Sequence, residues 1–199
     1  TGHKKLRVAV IFGGDSNERE VSLESGRNVC YKLSPHNYDV IPVFLNDQMA
    51  LFQLPQNILI KNSTRAIADL VTDAMQLEWS DLPARADFVF LALHGGKGEN
   101  GSVQGALEML DLPYNGSGVL ASSLCMNKFK ANNFLRTKGF AVPSAALLEK
   151  NRQCSRFGVR AGSSSRSFSL LLMQKKDSPS LSSTVVNRSG RSGSRICRS

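Results

Sequence analysis

Two side chains able to act on a small charged molecule stand just past the ends of two apolar runs. Glu18 follows the Gly13-Gly14 pair that closes Arg7–Phe12. His94 closes the run 87–93 and opens His94-Gly95-Gly96-Lys97-Gly98-Glu99-Asn100-Gly101, four glycines in eight residues. A carboxylate in the first turn of a helix complements the helix dipole, worth about 0.3–1 kcal/mol. The same carboxylate, over the rim of a sheet, can hold a substrate ammonium. A histidine on a loop at a strand's carboxyl end is positioned for ligand contact, and glycines around it let backbone N–H groups approach an anion closely. A merely structural turn is the competing reading of that loop. Lys128, in Leu124-Cys125-Met126-Asn127-Lys128-Phe129-Lys130, is on composition alone a solvated helix lysine. Neither G-x-G-x-x-G nor G-x-x-x-x-G-K-[ST] occurs, which disfavours a dinucleotide fingerprint and a P-loop.

The elements that must carry these residues alternate. Arg7–Phe12 is β-branched and apolar and predicts a buried strand. Asn17-x-x-Glu20 has capping-box form, with Asp15 and Ser16 as rival caps. Val21, Ser25, Val29 and Leu33, with Cys30 beside them, predict one helical face. Ser34-Pro35 ends that helix, and Tyr38–Leu45 returns to strand character, giving a strand–helix–strand unit with parallel strands. Ile58–Ile60 is a short apolar run. Ile67, Leu70, Val71, Ala74 and Leu77 predict a helix over Thr64–Trp79. Asp87–Leu93 predicts a strand covered on both faces. A short helix is expected from Ser102 to Leu110 and a turn over Pro113–Gly118. One long helix is expected over Val119–Lys138, with Gly139 as its C-terminal cap. The fold class is α/β: a Rossmann-like open parallel sheet with flanking helices.

Charge divides the chain. Residues 1–150 hold 15 basic and 15 acidic side chains, whereas residues 151–199 hold 10 basic and one acidic, Asp177. The whole net charge of +9, and 14 serines, belong to that tail. Its polarity and charge predict disorder, and its abrupt onset suggests out-of-frame translation. About 150 residues suffice for one core. No apolar run approaches the roughly 18 residues of a membrane span. The N-terminus lacks a signal peptide's apolar stretch, and the four cysteines show no metal-ligand spacing. Together these predict a cytoplasmic protein with reduced thiols.

Four collinear blocks resemble the N-terminal domain of the D-alanine–D-alanine ligases, a family of ATP-grasp enzymes. They are Val8-Ala-Val-Ile-Phe-Gly-Gly-Asp-Ser-Asn-Glu-Arg-Glu-Val-Ser22, Leu93-His-Gly-Gly-Lys-Gly-Glu-Asn-Gly-Ser-Val-Gln-Gly105, Pro113-Tyr-Asn-Gly-Ser-Gly-Val-Leu-Ala-Ser122 and Met126-Asn-Lys128. The resemblance implies a pre-ATP-grasp substrate domain over 6–140 and the start of the central ATP-grasp region over 141–150. It implies that Glu18 anchors the ammonium of a first D-alanine, that Val21 packs beside it, and that His94, with Gly95 next to it, lies close to its carboxylate. Lys128 matches a lysine that reaches ATP phosphate. The family's Met-Asp-Lys reads Met-Asn-Lys here, so Asn127 lacks a carboxylate. The implied chemistry is ATP-dependent joining of two D-alanines through an acyl phosphate, with Mg2+ or Mn2+, for peptidoglycan precursors. A homodimer is also implied.

The resemblance stops near Lys150. The family's second phosphate lysine, its metal-binding carboxylates and its oxyanion-stabilising arginine have no counterparts in 151–199, so this chain alone is expected to be inactive. The alternative is a binding module whose basic tail takes nucleic acid or an anionic surface. Phosphate contacts from arginine would serve it. The tail has neither regular Arg-Ser dipeptides nor interleaved Tyr or Trp for base stacking, which disfavours nucleic acid.

Overall fold

The computed structural model describes residues 4–143, together with the backbone of 169–174 and 182–187. The chain divides into two compact units, Thr1–Met126 and Asn127–Ser199. The first is built on a five-stranded sheet of order β4-β3-β2-β1-β5. Its strands are β1 (Leu6–Gly13), β2 (Tyr38–Leu45), β3 (Leu51–Gln53), β4 (Gln76–Leu77) and β5 (Phe88–Leu91).

β1 is central and runs parallel to both β2 and β5. Both faces of β1 are covered, which is why its sequence is continuously apolar rather than alternating. Ala9 and Ile11 enter one core with Val43, Leu45, Val89 and Leu107. Val8, Val10 and Phe12 enter the other with Leu23, Phe44, Leu59 and Ile67. The two-residue strand period thus divides one strand between two cores.

The sheet is mixed rather than wholly parallel, because β3 and β4 add antiparallel beyond β2. Asn46 makes the hairpin turn: its Oδ1 accepts from the Ala50 N–H at 2.8 Å. Ile58–Ile60 lies in a turn of 3-10 helix, not a strand. The helix predicted over Thr64–Trp79 is broken into α2 (Thr64–Ala68), a 3-10 turn, β4 and a further 3-10 turn. Of its stripe, Ile67 and Leu77 are buried and Leu70 is exposed. Helical spacing was met by two different elements reaching the two cores.

Helix α1 (Arg19–Lys32) connects β1 to β2. It buries Ser22, Leu23, Gly26 and Cys30, whereas Val21 is 56% exposed, so the apolar face is rotated away from Val21. At Gly26 the helix lies directly on β1: an added Cβ would stand 2.6 Å from Phe12 Cβ. The expected capping box does not form. Glu20 reaches instead across to α2, accepting from the Thr64 N–H at 3.0 Å and the Thr64 hydroxyl at 2.5 Å. Burial pushes the Cys30 thiol up to about 12, and neither described cysteine, Cys30 or Cys125, is in a disulfide.

After α3 (Leu82–Arg85) and β5 come α4 (Gly96–Glu99), α5 (Ser102–Met109) and α6 (Val119–Met126). Segment 113–115 lies along the outer edge of β5. The Val89 N–H donates to Pro113 O at 2.8 Å. Asn115 spans Leu91, accepting its N–H at 2.6 Å and donating to its carbonyl at 3.2 Å.

In the second unit, α7 (Lys128–Thr137) is separate from α6, so the single helix expected over Val119–Lys138 is two. Asn127 divides them with non-helical dihedrals (φ −94°, ψ 88°) and caps α7, its Oδ1 accepting from the Lys130 N–H at 3.0 Å. Asparagine and aspartate serve equally as N-caps. The lost carboxylate therefore leaves the helix start intact. Ser169–Gln174 (β6) and Ser182–Asn187 (β7) pair antiparallel, a regular element where composition predicted none. The rest of the predicted disordered tail lies outside the described residues.

Candidate functional site

Glu18 and His94 meet at the carboxyl ends of β1 and β5. In the order β4-β3-β2-β1-β5, the chain leaves β1 toward β2 on one side and later returns to β5 on the other. That reversal is where open α/β sheets bind ligands. Glu18 is the N-cap residue of α1 rather than part of its first turn, and its side chain caps nothing. The carboxylate is turned to the opposite loop. A Cβ placed on Gly95 would lie 3.0 Å from Glu18 Oε2. Gly95 has φ +68° and ψ −175°, a backbone region essentially restricted to glycine. Gly95 is therefore required twice, for its dihedrals and for the space Glu18 occupies.

Three serines tie the loops together. The Ser16 hydroxyl donates to the carbonyl of His94 and accepts from the Glu18 N–H at 3.0 Å. Ser22, fully buried, accepts from the Gly13 N–H at 2.8 Å and donates to Ala92 O at 2.9 Å. Ser25 Oγ lies 2.9 Å from His94 Nε2. Asp15 adds a fourth tie: its carboxylate accepts from the Lys97 N–H at 3.1 Å and faces Lys97 Nζ at 3.8 Å. The glycine-rich loop is held from behind as well, where Gln104 Nε2 donates to Gly98 O at 2.8 Å.

Glu18, Gly95 and His94 are thus brought together. Exposed Val21 stands one helical turn above Glu18 on α1. Lys128 lies at the start of α7 in the second unit. Sequence reasoning missed Ser16, Ser22 and Ser25 as site-builders. Their signal was present in Ser22 and Ser25, three apart on the helix that carries Glu18. Away from this rim, Arg7 on β1 and Asp87, just before β5, form a bidentate pair, with Nη2 2.6 Å from Oδ1. Hydrogen bonds from the Arg7 side chain and N–H hold the Asp87 carboxyl down at about 2.

The family model for the N-terminus of D-Ala–D-Ala ligase matches residues 7–117. A D-alanine–D-alanine ligase of Pelodictyon phaeoclathratiforme is 35% identical over 161 residues, covering 72% of this chain and 45% of the relative. D-alanine–D-alanine ligase B of Pseudomonas putida is 33% identical over 181 residues. That alignment covers 91% of this chain and 46% of the relative, so it runs past residue 150. Among solved structures, the D-alanine–D-alanine ligase of Coxiella burnetii superposes with a TM-score of 0.59 at 28% identity, covering 70% of this chain and 43% of that one. The Bacillus anthracis ligase complexed with ATP gives 0.50 at 32% identity, covering 70% and 38%. The chain spans less than half the length of the relatives it matches. By the breadth of the family match and the blocks that build the Glu18–His94 rim, it belongs to the D-alanine–D-alanine ligase family through that family's N-terminal domain.

Proposed function

We propose that residues 6–140 are the first-substrate domain of an ATP-dependent D-alanine–D-alanine ligase, with 141–150 opening its central region. The observation that carries this is the convergence of Glu18 and His94 on one rim at the sheet's switch point. In this reading the Glu18 carboxylate accepts hydrogen bonds from the D-alanine ammonium. His94, oriented by Ser25, faces the substrate carboxylate beside Gly95, and Val21 covers the methyl side. These groups bind and orient, which is the entropic part of catalysis. The wider reading is a cytoplasmic homodimer serving peptidoglycan precursor synthesis.

ATP and Mg2+ or Mn2+ complete the family's chemistry. Among the described residues, no three His, Cys, Asp or Glu side chains are grouped to hold a metal ion. Lys128 is the one position matching a family ATP contact. These residues do not by themselves make up an ATP–metal site. No described helix is long and apolar enough to cross a membrane.

The test is a D-alanine titration of the 199-residue chain followed by amide NMR. Shifts are expected at Glu18, Gly95 and His94, weakened at least tenfold in Glu18→Ala. Unchanged binding in that variant overturns the assignment. ATP hydrolysis dependent on D-alanine is expected to be absent; its presence, with loss in Glu18→Ala, would show the chain to be a complete ligase.

A further inference from the structure

On the other flank of α1 from the Glu18–His94 rim, a cavity of about 360 Å³ lies between the ends of β1 and β2 and helix α2. Phe44 and Gly14 line it, and its rim carries Arg19, Arg65, Asp47 and Asp69. Three further polar residues of the wall are already used: Asn46 in the hairpin turn, and Glu20 and Thr64 with each other. Glu20 is committed to the N–H and hydroxyl of Thr64, a clip that ties α2 to α1 beside Arg19 and Arg65.

The four rim charges differ from these. Among the described residues, none of the Arg19, Arg65, Asp47 and Asp69 side chains has a hydrogen-bond or ion-pair partner. Two guanidiniums and two carboxylates share one concavity without coming within ion-pair distance of one another. A ligand that satisfied this rim would carry both signs of charge, separated by a short body. Guanidiniums present a planar fork suited to a carboxylate, while carboxylates accept from an ammonium. The volume sits at the small end of the range for ligand pockets, about 300–1,000 Å³. The cavity is half open to solvent, and its volume suits a body of two or three residues.

We propose that this cavity binds a short zwitterionic peptide of dipeptide size, its carboxylate on Arg19 and Arg65 and its ammonium on Asp47 and Asp69. The site is distinct from the Glu18–His94 rim and does not depend on the function proposed for it. Both sites meet at the start of α1, where Arg19 follows the N-cap residue Glu18 directly. Occupancy of the cavity would therefore bear on the segment that carries Glu18.

The experiment titrates the full chain with L-alanyl-L-alanine and D-alanyl-D-alanine, reading amide shifts by NMR. Expected are saturable shifts at Thr64–Asp69 and Asn46–Asp47. N-acetylation or C-amidation of the same peptides should each weaken binding at least tenfold. Arg65→Ala and Asp69→Asn, both at exposed positions, should each weaken it similarly, and Glu18→Ala should leave it unchanged. Three results would each overturn the proposal: no shift at residues 64–69; equal shifts from the blocked peptides or from sodium chloride; or binding indifferent to Arg65→Ala. Shifts confined to Glu18 and His94 would also overturn it, while leaving the rim's assignment standing.

Discussion

Ser25 Oγ and His94 Nε2 lie 2.9 Å apart, joining the helix after β1 to the loop after β5. One ring nitrogen of His94 is therefore engaged by the protein, and Nδ1 is left for other partners. Hydrogen bonds of this kind determine which nitrogen carries the proton in a neutral imidazole.

Ser25→Ala should release that choice. Imidazole ¹⁵N spectra of the parent chain are expected to show one dominant neutral tautomer, and those of the variant a mixture. The lost hydrogen bond, worth about 1 kcal/mol, should also weaken D-alanine binding by about fivefold. A variant spectrum identical to the parent's would show that Ser25 does not orient the ring.

Ser22→Ala should destabilise the domain by about 1–3 kcal/mol, the usual consequence of leaving a buried donor unpaired. The donor is the Gly13 N–H, which Ser22 accepts at the base of the rim. Urea unfolding should show a lower midpoint with unchanged m value.

The Arg7–Asp87 pair makes stability fall in acid. Asp87 is held at about 2 in the folded chain by the Arg7 side-chain hydrogen bonds and the Arg7 N–H, against about 3.9 in an unfolded one. A depressed folded-state value contributes stability that is fully present above the unfolded value and is lost as pH falls through the folded value. The window is therefore pH 4 to 2. Asp87→Asn should flatten the dependence of the urea midpoint on pH across that window, and only there.

Two glycines in helices should respond oppositely to alanine. Gly26→Ala drives a Cβ to 2.6 Å from Phe12, a fully buried residue, and overpacking of that kind costs about 1–3 kcal/mol. Gly105→Ala meets only Val119 Cγ2, at 3.7 Å. It should gain about 0.5–1 kcal/mol, because alanine loses less backbone entropy in a helix. Thermal melts of the two variants should move in opposite directions.

The parts of the fold legible in the sequence were those with enough residues to show a period. β1, α1, β2 and β5 each extend over a continuous apolar or periodic run, and the glycine-rich loop marked the turn that follows β5. β3 and β4 were invisible because three and two residues display no alternation. The stripe from Ile67 to Leu77 misled because a short helix and a strand, each reaching a core, reproduce helical spacing between them. At Asn127 the break between α6 and α7 was missed, because apolar residues on both sides disguised the cap as helix interior. Glu18 and His94 could be singled out by their positions beside glycine turns, Glu18 after Gly13-Gly14 and His94 before Gly95-Gly96. The serines that hold them could not, since a serine on a helix usually faces water.

The side chain of Asn115 stands to Leu91 as a further peptide group would. With Pro113 taking the Val89 N–H and Asn115 taking both polar groups of Leu91, the flank of β5 offers no vacant donors to an incoming strand. Exposed sheet edges invite pairing between chains. This flank is closed by an amide and a turn, a seal against self-templated polymerisation.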